Sequence, residues 1–326
     1  MVFLKSLCIV GSALLIRFSA ECGSVVPDSG AAGIAAPDTA FHAASATVAA
    51  APDTAAGHAP DGMHLFSRVG SDMLIQASAP FHMDAAQVLS AAAGIGITAG
   101  LIALDEPIDR KIRHAGEDHS MIGTTSRYVT ELGGTGGIAA VAAYAGYSLI
   151  AGDKEAQCTS LLLAEALITS GLWVRMGKLA FGRERPSAAY EYSHLPGGRW
   201  HGLSGSLRKK SSEPISKYDA FPSGHTATAF AIATVFAKRS GESSYVPVIS
   251  YTLAAIVGIS RMIEHTHWAS DVFAGACLGY LCAGQAVAQY EQQESAAAPA
   301  RMQKPAIRVS AGILNDSPAL HLTVAF

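Results

Sequence analysis

Three short clusters in this chain combine cations, histidines and helix-start signals in a pattern suited to an anion. The first runs from Lys178 through Arg183 to Arg185 and Pro186. The second is Phe221-Pro222-Ser223-Gly224-His225, and the third runs from Ser260 and Arg261 through His267 and Trp268 to Asp271. Lysine and arginine hold phosphate oxygens through charge-assisted hydrogen bonds, each worth about 1.5–3 kcal/mol, and a guanidinium matches phosphate geometry with two donors at once. A helix start leaves backbone N–H groups unpaired and carries partial positive charge, so the amides of Gly224 and His225 and the Ser223 hydroxyl add donors. Gly224 lets the backbone approach the anion closely. His267 and Asp271 are four residues apart, on one face if helical. A carboxylate accepting from one ring nitrogen would fix the tautomer and free the other nitrogen as a nucleophile.

Each cluster also has a plainer reading. Lys178, Arg183 and Arg185 could anchor a helix end among lipid headgroups, and His267 and Trp268 could belong to an interfacial aromatic belt. Ser223 and Asp271 could each simply cap a helix. The plain readings leave the combination unexplained, and that combination depends on how the clusters are positioned.

Long apolar runs are the elements available to position them. Six runs, 85–104, 133–152, 156–176, 223–237, 245–259 and 271–290, show helical rather than strand character, which makes the fold an all-α six-helix bundle. A run of about twenty uncharged residues gives about 30 Å of helix, enough to cross a bilayer. Two features weigh against six spans: the fourth run is short, and Glu165 sits midway in the third, where a carboxylate facing lipid is costly. The bundle is therefore transmembrane or membrane-associated. If its helices run antiparallel, the ends of the third and fifth and the starts of the fourth and sixth share one side. All three clusters meet there, gathering Lys178, Arg185 and Arg261 around one anion.

Composition agrees with a membrane. Of 326 residues, 50% are hydrophobic and only 15% charged, whereas soluble domains carry about 25% charged residues. The net charge of -3, with no basic tail or arginine stripe, excludes nucleic acid as a partner. Cys8 falls in the leader, and Cys22, Cys158, Cys277 and Cys282 lack paired spacing for zinc, so neither a metal site nor a structural disulfide is expected. Residues 1–20 read as a signal peptide or signal anchor. Residues 21–83 form a low-complexity Ala/Pro/Asp-rich linker, repeating Ala-Ala-Pro-Asp-Thr-Ala at 35–40 and 50–55, with too little apolar bulk to order itself. The helical domain covers 84–292, and the tail over 293–326 carries two short strands as a C-terminal β-hairpin. The connection 182–217 offers Tyr190, Tyr192, His194, Trp200 and His201 as lid or headgroup contacts.

In order along the chain, Lys178-x6-Arg185-Pro186, then Pro222-Ser223-Gly224-His225, then Ser260-Arg261-x5-His267-x3-Asp271 resembles the type 2 phosphatidic acid phosphatase superfamily. That superfamily includes bacterial acid phosphatases and vanadium haloperoxidases. The resemblance covers the helical region and leaves both tails aside. It implies that His267 is a nucleophile forming a phosphohistidine, that Asp271 orients it, and that His225 is the general acid and later assists water. It implies that Lys178, Arg185, Ser223, Gly224 and Arg261 hold the phosphoryl oxygens. The implied activity is metal-independent hydrolysis of a lipid-linked phosphate or polyprenyl pyrophosphate, without a cofactor and inhibited by vanadate. Phosphatidic acid, phosphatidylglycerol phosphate and a lipid A phosphate are also compatible. A vanadium-dependent haloperoxidase, with vanadate as cofactor, is the enzymatic alternative, and the apolar composition counts against it. A non-catalytic phosphate-binding membrane protein is the other, and the intact His225, His267 and Asp271 count against that. The expected location is the cell membrane or periplasm, with the active site extracytoplasmic as is usual for membrane members of the family. A leader followed by six spans, and the basic triplet 208–210, point instead to the cytoplasmic side.

Overall fold

Each of the six apolar runs is helical in the computed structural model, which describes residues 62–117, 120–203, 215–241, 243, 245–302, 306–314 and 317–325. The leader expected at 1–20, most of the linker and the triplet 208–210 lie outside the described residues. The helices longer than five residues among the described residues are α1 (Gly62–Ser78), α2 (Ala85–Glu117), α3 (Ser120–Glu131), α4 (Thr135–Ala151), α5 (Lys154–Phe181), α6 (Gly224–Arg239), α7 (Tyr245–Ile263) and α8 (Ala269–Met302). Local signals set several boundaries. Asp153 caps α5 by accepting from the amides of Glu155 and Ala156, and Gly182 ends it in the left-handed region at φ 53°. Gly152 closes α4 in the same way at φ 68°.

The short, alanine-rich α6 is the centre of the bundle, with α5, α7 and α8 packed around it. On one side Leu162, Leu163 and Ala166 of α5 meet Ala231 and Val235 of α6 and Ala283 and Val287 of α8. On another, Ala229, Phe230 and Ala233 meet Ala254 and Val257 of α7. Small residues set the spacing between α6 and α8. A methyl group on Gly275 would strike the Ser223 carbonyl, and one on Gly279 would strike the Ala227 carbonyl. Two glycines four apart thus let the backbones touch.

Among the described residues, four helical segments are long and apolar enough to cross a membrane: Ala85–His114, Lys154–Phe181, Tyr245–Ile263 and Ala269–Ala296. A fifth span arises if Thr125–Glu131 and Thr135–Ala151 count together across their 43° bend. Large apolar side chains face outward from these elements, among them Ile95, Leu149, Ile150, Val248 and Leu281, as lipid contact requires. The chain is therefore built for a membrane. α6, with 16 residues, is not among the spans, so the six expected runs are not six equivalent crossings.

Two helices correct the expected count. α3 forms within the charged stretch after the first run, and α1 forms within residues assigned to the linker. α1 buries Val69 and is further held by polar contacts. Arg68 donates to Glu165 of α5 at 2.9 Å, and Trp173 Nε1 donates to Gln76 at 2.6 Å, while Phe66 and Leu74 point outward. The carboxylate whose exposure to lipid would be costly is turned inward and paired. At the other end of the chain, β1 (Ala306–Leu314) and β2 (Ser317–Ala325) pair antiparallel, with Ala306 opposite Ala325 and Leu314 opposite Ser317.

Candidate active site

The end of α5, the start of α6 and the α7–α8 junction form one end of the bundle, and backbone hydrogen bonds lace them together. The Ala220 amide donates to the Arg183 carbonyl at 3.0 Å, and the Ser223 amide donates to the Asp271 carbonyl at 3.0 Å. Gly177, one residue before Lys178, leaves room for Pro222, whose Cδ would lie 2.7 Å from an added Cβ. The three clusters predicted to converge are therefore joined. His225 and His267 both lie in the field of Lys178, Arg185 and Arg261.

His267 is 2% exposed and Trp268 1%, so neither belongs to an interfacial belt. The His267 Nδ1 lies 2.7 Å from the Ala220 carbonyl oxygen, while the Asp271 Oδ2 is 3.7 Å away. The Ala220 carbonyl is thus the nearer partner of the ring, with the Asp271 carboxylate behind it. A carbonyl can only accept, so Nδ1 carries the proton and Nε2 keeps its lone pair. Burial, then the charges of Lys178, Arg185 and Arg261, hold the ring neutral, well below the usual histidine range.

Asp271 has two other tasks. Its Oδ2 accepts from the Trp268 amide at 2.8 Å, which closes the first turn of α8 from inside. Its Oδ1 accepts from Arg183 NH1 at 2.6 Å. Arg183, 0% exposed, also donates to Asp105 of α2 and to the Gly197 carbonyl. It is not a headgroup anchor. Asp271 thus fixes the helix start that carries His267, one step removed from the ring.

The cations reach the site already paired. Arg185 Nε donates to Asp219 at 2.8 Å, and Lys178 Nζ lies 3.4 Å from the other oxygen of the same carboxylate. Arg261 NH1 donates to Glu264 at 2.7 Å and to the Thr130 hydroxyl at 3.2 Å, and its buried Nε has no partner among the described residues. Ser223 occupies the cap position of α6, but its hydroxyl makes no capping bond. It accepts from Thr226 at 2.9 Å, leaving its own proton to donate. Gly224 follows at the first helical position.

His225 is held from the side of α3 and α4. At their break, a Cβ on Gly134 would lie 2.8 Å from the His225 Nε2, and one on Gly133 would lie 2.6 Å from the His225 carbonyl. Burial first, then Arg261, Lys178 and Arg185, push the His225 pKa down to about 4. Of the residues in the connection after α5, Trp200 stacks beside Phe221 and Phe181 at ring distances of 5.4 and 6.0 Å. Tyr190 donates to Glu106, and His201 pairs with Glu184. His194 takes a positive φ of 52°.

Sequence reasoning missed Asp105, Ala220, Asp219, Thr130 and Glu264. Among the described residues no group of three or more His, Cys, Asp or Glu could hold a metal ion.

Residues 159–295 match the model of the PAP2 superfamily, a segment that holds every expected site residue. The chain is 36% identical over 124 residues to a lipid A 1-phosphatase of Porphyromonas gingivalis, covering 37% of this chain and 22% of that protein. It is 30% identical over 140 residues to lipid phosphate phosphatase 1 of Arabidopsis thaliana, covering 38% of this chain and 42% of that one. It therefore spans less than half the length of these curated relatives. Among solved structures it resembles Aquifex aeolicus LpxE, with 24% identity and a TM-score of 0.43 over 56% of this chain and 94% of that one.

Proposed function

Taking this chain as a member of the PAP2 superfamily through residues 159–295, we propose that it is a phosphatase acting on a lipid-linked phosphate or pyrophosphate through a phosphohistidine on His267. The observation that carries the reading is the Nδ1 contact to the Ala220 carbonyl, which leaves Nε2 free within the field of three cations. Nε2 attacks phosphorus and the bond to the leaving oxygen breaks. His225 gives that oxygen its proton, then takes one from the water that cleaves the P–N bond. Lys178, Arg185 and Arg261, the Ser223 hydroxyl and the first amides of α6 hold the non-bridging oxygens. Their charge meets the charge of the transition state, so the steps call for no metal or cofactor.

Burial first, and then the charges of Arg261, Lys178 and Arg185, hold His225 neutral. A bound phosphate dianion offsets those cations and lets His225 load the proton that the leaving group needs. The apolar spans and the aromatic wall of Phe181, Trp200 and Phe221 favour a substrate with an alkyl portion in the bilayer and a phosphate at its edge. The relatives' activities, lipid A 1-phosphate and lipid phosphate hydrolysis, define the first substrates to try. We place the site on the extracytoplasmic face, as in the family at large. Maleimide labelling of Leu203→Cys and Lys154→Cys in intact cells tests that placement.

The central test uses the full chain in detergent against a panel of lipid phosphates and pyrophosphates. Phosphate release should fall by roughly a thousandfold in His267→Ala. Label trapped from a 32P substrate should survive alkali and vanish in acid. Acid-stable label, or label persisting in His267→Ala, would sink the phosphohistidine.

A further inference from the structure

Asp219 stands where the anion should bind. It is 22% exposed, with one oxygen accepting from Arg185 Nε at 2.8 Å and the other 3.4 Å from Lys178 Nζ. Those are two of the three cations that the proposed reaction assigns to phosphoryl oxygens. A carboxylate bridging a guanidinium and an ammonium presents two oxygens much as a phosphate presents two of its own. The other acids near this end are committed elsewhere. Glu264 serves Arg261, Thr130 and Ser126. Asp105 and Asp271 serve Arg183. Glu184 takes Ser193, His201 and the Arg199 amide, and Glu131 takes Thr135.

The main chain beside Asp219 is pinned. The next residue, Ala220, donates its amide to Arg183 and offers its carbonyl to His267. The Asp219 side chain can therefore leave the two cations by rotating, without disturbing the histidine that its neighbour holds.

We propose that Asp219 is a specificity-determining residue, an internal anion competitor that occupies the Lys178–Arg185 clamp when no phosphoryl group is bound. Resting on the phosphatase reading of the same site, it sets a charge threshold. A terminal phosphate dianion displaces the carboxylate, whereas a phosphodiester, with one charge and fewer free oxygens, does not. After turnover the returning carboxylate helps expel inorganic phosphate.

The test is the affinity of the full chain in detergent for inorganic phosphate and orthovanadate, read by calorimetry and by thermal shift, without turnover. Asp219→Asn should bind both about tenfold more tightly, since a like charge no longer competes. Its KM for a lipid phosphomonoester should fall, and kcat should fall with it as product lingers. A dialkyl phosphodiester should inhibit the variant and not the wild type. Asp219→Glu, which keeps the charge, should retain weak phosphate binding, and Asp219→Ser stands in if the asparagine variant does not fold. Unchanged or weaker phosphate binding in the neutral variants would overturn the proposal and leave Asp219 as a brace for the two cations. The failures separate cleanly. Tighter phosphate binding with no hydrolysis by the wild type would defeat the phosphatase reading and keep the competitor. Hydrolysis with unaltered phosphate affinity would do the reverse.

Discussion

Two clusters buried in this bundle start from the same ingredients, one arginine and two carboxylates, and end differently. At the site end, Arg183 uses its whole fork. NH1 donates to Asp271 at 2.6 Å and Ser270 at 2.7 Å, NH2 donates to Asp105 at 2.6 Å and to the Gly197 carbonyl at 2.8 Å, and Nε donates to Gly197 again. The surplus negative charge is met by further donors, the Ser270 hydroxyl and amide on Asp105 and the Trp268 amide on Asp271. Where α1 joins the bundle, Arg68 pairs with Glu165, but both Asp72 oxygens, Glu165 Oε1 and Gln76 Nε2 lack a partner among the described residues. Arginine alone does not make a buried charge cluster stable. The first is closed because a helix start and a loop supply additional N–H and O–H groups. The second is met by helix faces whose backbone is already spent, and its leftover carboxylate must take up a proton.

Breaking the closed cluster should give the largest effect. Arg183→Met strands Asp105 and Asp271 without their cation, and losing one partner of a buried pair costs about 3–5 kcal/mol. It also loosens the start of α8 and thus His267. Little folded protein should survive solubilisation, and phosphate release should be lost. Lysine should not rescue, since one ammonium cannot replace a fork that reaches four acceptor groups. Arg68→Met, whose partner has a neighbouring carboxyl able to share a proton, should cost less. Equal losses in the two variants would erase the contrast.

The acid response should come next, and it belongs to the site. Burial and the nearby cations hold His225 down to about 4 and His267 well below its usual range. The neutral rings therefore stabilise the fold fully above about pH 6.5, and that contribution is lost as pH falls towards 4. Thermal midpoints should drop over that window, and His225→Asn should flatten the drop. Vanadate should do so too, because its charge offsets the cations. An acid limb indifferent to both would separate the histidines from it.

The candidate site residues were legible in the sequence because their types are rare in apolar helices and their spacing repeats a known pattern. Lys178, Arg185, Ser223, His225, Arg261 and His267 all reach one end of the bundle. Their partners were less visible for physical reasons. The group that orients His267 is the Ala220 carbonyl, and a backbone oxygen leaves no trace in residue type. Asp105 is 78 residues from Arg183 and Asp219 is 34 from Arg185, and one sequence does not show which distant charges meet. Asp271 has the right spacing to orient His267 yet spends its oxygens on Arg183 and the Trp268 amide. α1 was hidden by composition averaged over 21–83. Within it Arg68, Asp72 and Gln76 recur every fourth residue, a polar stripe on one helical face that could have revealed both the helix and its inward-facing side.

That stripe carries the smallest expected effect and the sharpest contrast with the site. The Asp72 carboxyl is pushed up to about 8, by burial first and then by Glu165, with Arg68 partly opposing. Cys282 lies close enough to feel its charge. Because the folded value exceeds the unfolded one, the stabilisation is complete below about pH 4 and disappears as pH rises through about 8. The open cluster should therefore weaken the protein on the alkaline side, opposite to the histidines. Asp72→Asn keeps the shape, removes the titration and offers an N–H to the free oxygen of Glu165. Thermal unfolding in detergent should show a flatter alkaline limb and a gain of about 0.5–1.5 kcal/mol near pH 8, the worth of one hydrogen bond. Phosphate release should not change, since Asp72 lies outside the site. A loss of stability in Asp72→Asn would mean that the carboxylate is needed charged, and the two clusters would then be closed in the same sense.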